Sequence, residues 1–422
     1  MNVLVIGRGG REHALVWSLA KSPKVRRLYC APGNAGIAEL AECAPIAENR
    51  FDDIARFALE RRIDLVVVGP DDPLGAGIVD ALEARGLAVF GPNRAAAEIE
   101  SSKVFMKGLL KKYGIPTAAY ETFDRYEDAL AYVESRPLPI VIKADGLAAG
   151  KGVVVARTRE EAVEALRRAM VERVFGASGD RVVIEEFMEG QEMSILSFVD
   201  GETVRPMVPA QDHKPVFDGD RGPNTGGMGT YAPLPHIPES VVREAVERII
   251  KPTAKAMVAE GRPFRGVLYA GLMVTADGPK VVEFNSRFGD PEAQVVLPLL
   301  ESDLLDVLLA VVEGRLDRAD IRWSDKAAVC VIAASAGYPG DYRKGVPIEG
   351  IDRVRDAIVF HAGTARDGDR IVTSGGRVLG VTALGATIAE ARAKAYEQLA
   401  HIRFDGMHYR TDIARRALEA AR

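Results

Sequence analysis

The sequence predicts a chain of several α/β domains, opening with a doubly wound parallel sheet and closing with an α+β unit. Three observations lead there. Its 422 residues exceed what one hydrophobic core organises. The first hundred residues alternate short apolar runs with helix-like stretches, each run ending in a Gly or Pro turn. Beyond residue 325 the pattern changes to strands followed by a helix.

In order, "NVLVIG", "RRLYCAP", "DLVVVGP" and "LAVFGP" read as strands, with helices such as "REHALVWSLAKS" and "AGIVDALEARG" between them. A helix at "SSKVFMKGLLKKYG" stops at Gly114 and Pro116. A compact unit follows: helix, strand "PIVIKA", loop, strand "GVVVA", helix "REEAVEALRRAMVERV" and strand "RVVIEEF". "EMSILSFV" and "ETVRPMV" form a hairpin across Asp200-Gly201. The polar, Gly-rich stretch 211–230 reads as a connecting segment, ahead of a helix near 239–260. "GVLYAGLMV" and "PKVVEFNSR" pair across "TADG", and "VVLPLLESDLLDVLLAVV" reads as one long amphipathic helix. The terminal unit holds strands "AAVCVIAAS", "AIVFHAGT" and "GRVLGVTAL" and the helix "TIAEARAKAYEQL".

Apolar residues make up 47% and charged residues 27%, with a net charge of −5, a balance that offers no general attraction to nucleic acid or anionic membrane. The longest apolar region is broken by Glu301, Asp303 and Asp306, and the N-terminus has no signal-peptide pattern. Cys30, Cys43 and Cys330 are widely spaced, as expected of reduced thiols in a cytoplasmic protein.

Three segments carry chemistry. In "VIKADGLAAGKGVVV", Lys143 ends a strand and Gly146–Gly152 form a turn whose small residues let backbone N–H groups approach an anion. The segment is not a Walker A loop. Taken alone, a glycine hairpin with two solvated lysines explains it equally well. In "VVIEEFMEGQEMS" an apolar strand exits through Glu185 and Glu186, a step able to read adenine through its backbone, with Glu192 near enough to accept from ribose hydroxyls. In "KVVEFNSRFGDPE", alternation puts Glu283, Asn285 and Arg287 on one face, with Val282 and Phe284 turned into the core. Glu283 and Asn285 are hard oxygen ligands for Mg²⁺ or Mn²⁺, and Arg287 suits a transferring phosphoryl group. His213, between Asp212 and Lys214, reads at least as readily as a structural hydrogen-bonding residue as a catalytic one, and none of the six histidines has metal-ligand spacing.

The whole chain resembles the phosphoribosylamine–glycine ligases (glycinamide ribonucleotide synthetases), ATP-grasp enzymes of purine synthesis. The resemblance is carried by "GRGGREHAL" at 7, "APGNAG" at 31, "GPDDPL" at 69, "IKADGLAAGKGV" at 142, "QDHK" at 211, "GPNTGGMG" at 222, "RFGDPE" at 287, "HAGT" at 361 and "GGRVL" at 375. It implies an ATP-grasp fold with an N-terminal Rossmann-like domain over 1–101. The grasp body would span 102–122 and 190–325, its lid 123–189, and a C-terminal domain 326–422. Lys103 and Lys143 would contact the phosphates of ATP, with Gly150, Lys151 and Gly152 closing over them. Glu185, Glu186 and Met188 would border adenine, and Glu192 the ribose. Glu283 and Asn285 would hold the metal. Asp212, Lys214 and Arg287 would act on the reacting groups, Asp212 or Asp290 orienting or deprotonating the amine. Asn224, Thr225, Gly226 and Asp290 would line the chamber for glycine and 5-phosphoribosylamine, and Gly9, Gly10 and Arg11 would receive the sugar phosphate. The expected reaction runs through glycyl phosphate. The oligomeric state stays open between monomer and homodimer.

Two positions depart from the family pattern: Asp71 stands where Glu is usual, shortening its reach, and Ser286 where Ala or Cys is common. Ser286 is expected to point away from the metal face with little effect. Three other readings compete. A dinucleotide-dependent oxidoreductase lacks its third glycine, since Glu12 stands there. Another ATP-grasp ligase would keep Lys143, Glu283 and Asn285 but not need "GPNTGGMG". A nucleotide-binding regulator would have little use for a complete phosphoryl-transfer set.

Overall fold

The computed structural model describes residues 1–148 and 150–420. Ala149 of the glycine loop and the last two residues of the expected C-terminal domain lie outside them.

The N-terminal strands β1 (Asn2–Gly7), β2 (Arg27–Pro32), β3 (Glu42–Cys43), β4 (Leu65–Val68) and β5 (Val89–Phe90) form a parallel sheet in the order β3-β2-β1-β4-β5. Successive side chains leave β1 on opposite faces. Val3 and Val5 pack with Ala14 and Leu15 of the helix Gly10–Leu19, while Leu4 and Ile6 pack with Ile54 and Ala58 of the helix Phe51–Glu60. The sheet is therefore covered on both sides, as the near-continuous apolar strands predict.

A second sheet, ordered β6-β9-β7-β8, is built from β6 (Tyr120–Phe123), β7 (Ile140–Ala144), β8 (Val153–Ala156) and β9 (Val182–Glu186). It has its own small core, where Ile140, Ile142, Val182 and Ile184 meet Ala129 and Val133 of one helix and Ala162 and Leu166 of another.

Next along the chain come β10 (Gln191–Asp200), β11 (Thr203–Pro206), β12 (Gln211–Asp212), β13 (Pro215–Phe217), β14 (Arg221–Asn224), β15 (Gly229–Ala232), β16 (Arg265–Thr275) and β17 (Gly278–Asn285). Strands β11-β10-β16-β17 make a four-stranded antiparallel sheet. Met193 and Ile195 pack toward the helical stretch 239–259, and Leu196 and Phe198 toward Leu304 and Leu308 of the helix Leu304–Val312.

The remaining strands are β18 (Ala327–Ala334), β19 (Ile358–His361), β20 (Thr364–Asp367), β21 (Arg370–Thr373) and β22 (Arg377–Gly385). The antiparallel sheet β12-β15-β18-β22-β19 mixes strands from the middle and the end of the chain.

Three expectations need correction. The stretch 211–230 is no simple connector: β12 and β15 are rungs of the C-terminal sheet, and β13 pairs with β14. The apolar run 295–312 is not one helix, because the chain extends at Leu300 and restarts where the Asp303 carboxylate accepts the Leu305 N–H at 2.9 Å. Val282 does not enter the core. A register shift sets Glu283 opposite Gly271 but Val281 opposite Leu272, so Val281 and Phe284 are the buried pair.

Candidate active site

A cavity of about 490 Å³ opens where the β6–β9 sheet faces β16 and β17, with walls from the parallel-sheet domain and the C-terminal sheet. Lys103, Lys143, Gly150, Gly152, Glu185, Glu186, Met188 and Glu192 line it, while Lys151 is exposed and does not.

The glycine loop hangs from a tied root. Ser102 caps its helix by accepting the Phe105 N–H, and its hydroxyl donates to Asp145 at 3.0 Å. Asp145 also accepts from Val104 N at 2.8 Å and from Arg181. Lys103, the next residue, donates to Gly146 O at 3.1 Å. The Lys143 ammonium lies 3.1 Å from Glu185 and donates to Val282 O at 3.0 Å. That carbonyl belongs to the residue displaced by the register shift, so the irregularity in β17 gives Lys143 its anchor.

Lys107 was not foreseen. It is fully buried, lies 3.2 Å from Glu185 and donates to Thr117 Oγ1 at 2.7 Å. Burial pushes its pKa down to about 8 against the pull of Glu185. Nothing in its amphipathic helix distinguished it from a surface lysine. At the strand exit, the Glu186 N–H and carboxylate both engage Ala119. The Met188 N–H has no hydrogen-bond partner among the described residues.

Glu283 and Asn285 border the same cavity. Burial alone would raise Glu283, but Lys214, Lys143 and Lys103 hold it below its ordinary pKa. Its carboxylate is 3.9 Å from Lys214, and no protein hydrogen bond to the Asn285 amide occurs among the described residues. One ionised carboxylate beside one uncommitted amide oxygen fits a magnesium-type cation that keeps water and phosphate in its remaining positions.

Asp212, also lining the cavity, is raised to about 8 by burial, with Glu292 and Glu192 adding to it and Lys214 opposing. Lys214 is raised in turn, chiefly by Glu192. Tyr269 and Glu292, also unforeseen, complete this wall: the tyrosine hydroxyl donates to Glu292 at 3.0 Å and lies 2.7 Å from Ser194 Oγ. Glu292 stood inside "RFGDPE", and Tyr269 was a lone hydroxyl in an apolar strand, so both carried a faint signal. Arg287 lies 3.1 Å from Glu100 and 4.0 Å from Asp71.

Asn224, Thr225, Gly226 and Asp290 line the same cavity. Thr225 also serves the turn, donating to Lys214 O at 2.7 Å, and Gly226 N donates to Tyr338 OH at 3.0 Å. Arg377, from the C-terminal sheet, was missed as a site residue although "GGRVL" was a recognised motif. It donates to Asp290 O at 2.8 Å. Arg377 and Arg11 outweigh burial and hold Asp290 below the usual carboxylate range. Arg11 lines the cavity, while Gly9 and Gly10 stand behind it. The Gly9 N–H donates to Glu12 at 2.7 Å.

Glu12 settles the dinucleotide reading. It is 1% exposed, and a Cβ on Gly7 or Gly69 would fall 2.4 Å or 2.0 Å from its side chain. It thus fills the crevice between the ends of β1 and β4, where a parallel sheet of this kind would receive a pyrophosphate.

Three family descriptions match in sequence: "Phosphoribosylglycinamide synthetase, N domain" over residues 1–100, "ATP-grasp (A) domain" over 101–293 and "C domain" over 328–416. The chain belongs to the phosphoribosylglycinamide synthetase family. Within it, the phosphoribosylamine–glycine ligase of Halalkalibacterium halodurans is 54% identical over 99% of this chain and 97% of its own. That of Brucella melitensis is 51% identical over 99% of both. The crystal structure of the Thermotoga maritima phosphoribosylamine–glycine ligase superposes with a TM-score of 0.87 at 34% identity, covering 98% of this chain and all of that one. The biotin carboxylase domain of Hydrogenobacter thermophilus 2-oxoglutarate carboxylase shares the fold, with a TM-score of 0.74 at 17% identity over 97% of this chain and 91% of its own. The synthetase family's fold is therefore ATP-grasp, and its nucleotide is ATP.

Proposed function

We propose that this enzyme joins glycine to 5-phosphoribosylamine with ATP, giving glycinamide ribonucleotide, ADP and phosphate. One observation carries the reading: a single cavity brings a phosphate-binding set (Lys103, Lys143, Glu283, Asn285) together with Arg287, Asp212, Lys214 and Arg11. The relatives of the same length that bear this activity's name support it.

A carboxylate offers an amine no leaving group. An oxygen of the glycine carboxylate attacks the γ-phosphorus, the bond to ADP breaks, and glycyl phosphate forms. The ribosylamine nitrogen then attacks the acyl carbon, phosphate leaves, and the nitrogen gives up a proton. Lys103 and Lys143 neutralise the triphosphate, and Gly150 and Gly152 let the backbone close on it, with Lys151 at the outer edge of the loop. Glu185, Glu186 and Met188 border the base, and Glu192 the ribose. Glu283 and Asn285 hold Mg²⁺ or Mn²⁺, which supplies further neutralisation of phosphate charge when bound. Arg287 steadies the transferring group while Lys214 orients the glycine carboxylate. Asp212, with its raised pKa, is the better proton acceptor; the depressed Asp290 is the weaker base. Asn224, Thr225, Gly226 and Asp290 enclose the amine substrate, and Arg11 faces its phosphate, with Gly9 and Gly10 supporting it outside the cavity lining.

In this reading residues 123–189 act as a lid on a body formed by 102–122 and 190–325, between the 1–101 and 326–422 domains. No helix among the described residues is long and apolar enough to cross a membrane. The three cysteines are free thiols, which suits a cytoplasmic enzyme.

A coupled ADP assay with freshly made phosphoribosylamine tests the proposal. ADP release is expected only when glycine and the amine are both present. With ¹⁸O-carboxylate glycine, label is expected in the released phosphate. Label confined to the amide would rule out the acyl phosphate.

A further inference from the structure

Asp71 lies near Arg287, and Ser286 bonds to the carboxylate that pairs with it. Arg287 lies between two carboxylates, Glu100 at 3.1 Å and Asp71 at 4.0 Å, where the shorter aspartate leaves a gap. Its Nε is buried without a hydrogen-bond partner among the described residues, and one terminal nitrogen reaches Phe288 O at 3.3 Å. Glu100 is thus its main fixed partner. Glu100 is itself held on the far side: its second oxygen accepts the Ser286 N–H at 2.8 Å and the Ser286 hydroxyl at 2.7 Å. Any residue at 286 supplies the N–H; serine adds the hydroxyl. As expected of its direction, the Ser286 side chain turns away from Glu283 and Asn285, and it meets Glu100.

We propose that Glu100 is the positioning residue for Arg287, and that the Ser286 N–H and hydroxyl fix Glu100 in turn. Glu100 comes from the helix Arg94–Ser101, and Arg287 follows β17, so the pair joins two sequence-distant elements at the cavity wall. A guanidinium anchored through one carboxylate oxygen, whose other oxygen has two donors, has little freedom to swing toward Asp71. This role presupposes the ligation reaction above.

The test is a double-mutant cycle read by kcat, KM and ADP affinity. Glu100→Gln is expected to lower kcat about 10- to 100-fold by misplacing Arg287, with ADP affinity changed by less than about twofold. In an Arg287→Ala background the same change is expected to cost no more than about twofold, because the group it acts through is gone. Ser286→Ala, which keeps the N–H, is expected to lower kcat about threefold to tenfold and to lose that effect in the same background. Additive losses, or a Glu100→Gln enzyme with unchanged kcat, would overturn the positioning role. If Glu100→Gln fails to fold, the Ser286→Ala cycle decides, and additivity there is equally fatal. A wild-type protein that forms no glycine-dependent ADP would instead overturn the functional reading.

Discussion

Glu185 lies between two ammonium groups, Lys143 at the cavity and Lys107 in the interior behind it. A buried carboxylate that loses one of two partners becomes undercompensated. Lys107→Met leaves Glu185 with Lys143 alone, and urea unfolding across pH reads the effect. Lys107 titrates near 8 in the folded state against an ordinary 10.5. Between those values the unfolded chain binds more protons, so this residue's contribution makes stability rise with pH across that window. Lys107→Met should remove that slope. Asp212 bears on rate. If it takes the amine proton, its active form is the carboxylate, and turnover should climb as pH rises through about 8. Asp212→Asn is expected to abolish that limb and lower kcat about 100-fold or more. An unchanged pH profile would remove Asp212 from the mechanism.

The glycine loop makes its own prediction among the elements. A Cβ on Gly152 would lie 2.8 Å from the Ala148 Cβ and 3.2 Å from the Ala144 Cβ, so alanine there must push the loop off its strand. Gly152→Ala is expected to raise KM for ATP about tenfold, by about 1.4 kcal/mol of lost binding, with little change in melting temperature. Elements were legible in the sequence where local signals agreed. The strands β1, β4, β7 and β9 are apolar runs closed by turn residues, and they appear as read. By contrast, β6 is short with no fully buried residue, and β15 reads Gly-Thr-Tyr-Ala; each is a strand only because a distant partner completes its ladder. The same limit applied to the site. Alternation placed Glu283 and Asn285 together, but it could not foresee the shift that exposes Val282 to the cavity. Nor could it foresee the meeting of Glu100, Lys107, Tyr269 and Arg377 with side chains far along the chain.

For the molecule as a whole, the decisive feature is the sheet shared between its middle and its end. Gly229–Ala232 pairs with Ala328–Val331, and Tyr231 shares a core with Val329, Val331 and Val381. A chain ending at residue 325 is expected to lack cooperative unfolding and ADP formation, because β15 would lose its ladder with β18 and Arg377 would be missing from the cavity. Circular dichroism during heating and the coupled assay would show this. The glycine loop hangs from another sheet, β6-β9-β7-β8, which shares no rung with the one bearing β15. Under the proposed reading, exchange of the nucleotide would ask movement chiefly of the sheet that carries the loop, with the Lys143 bond to Val282 O as the tie to be broken, and would leave the β15 sheet in place.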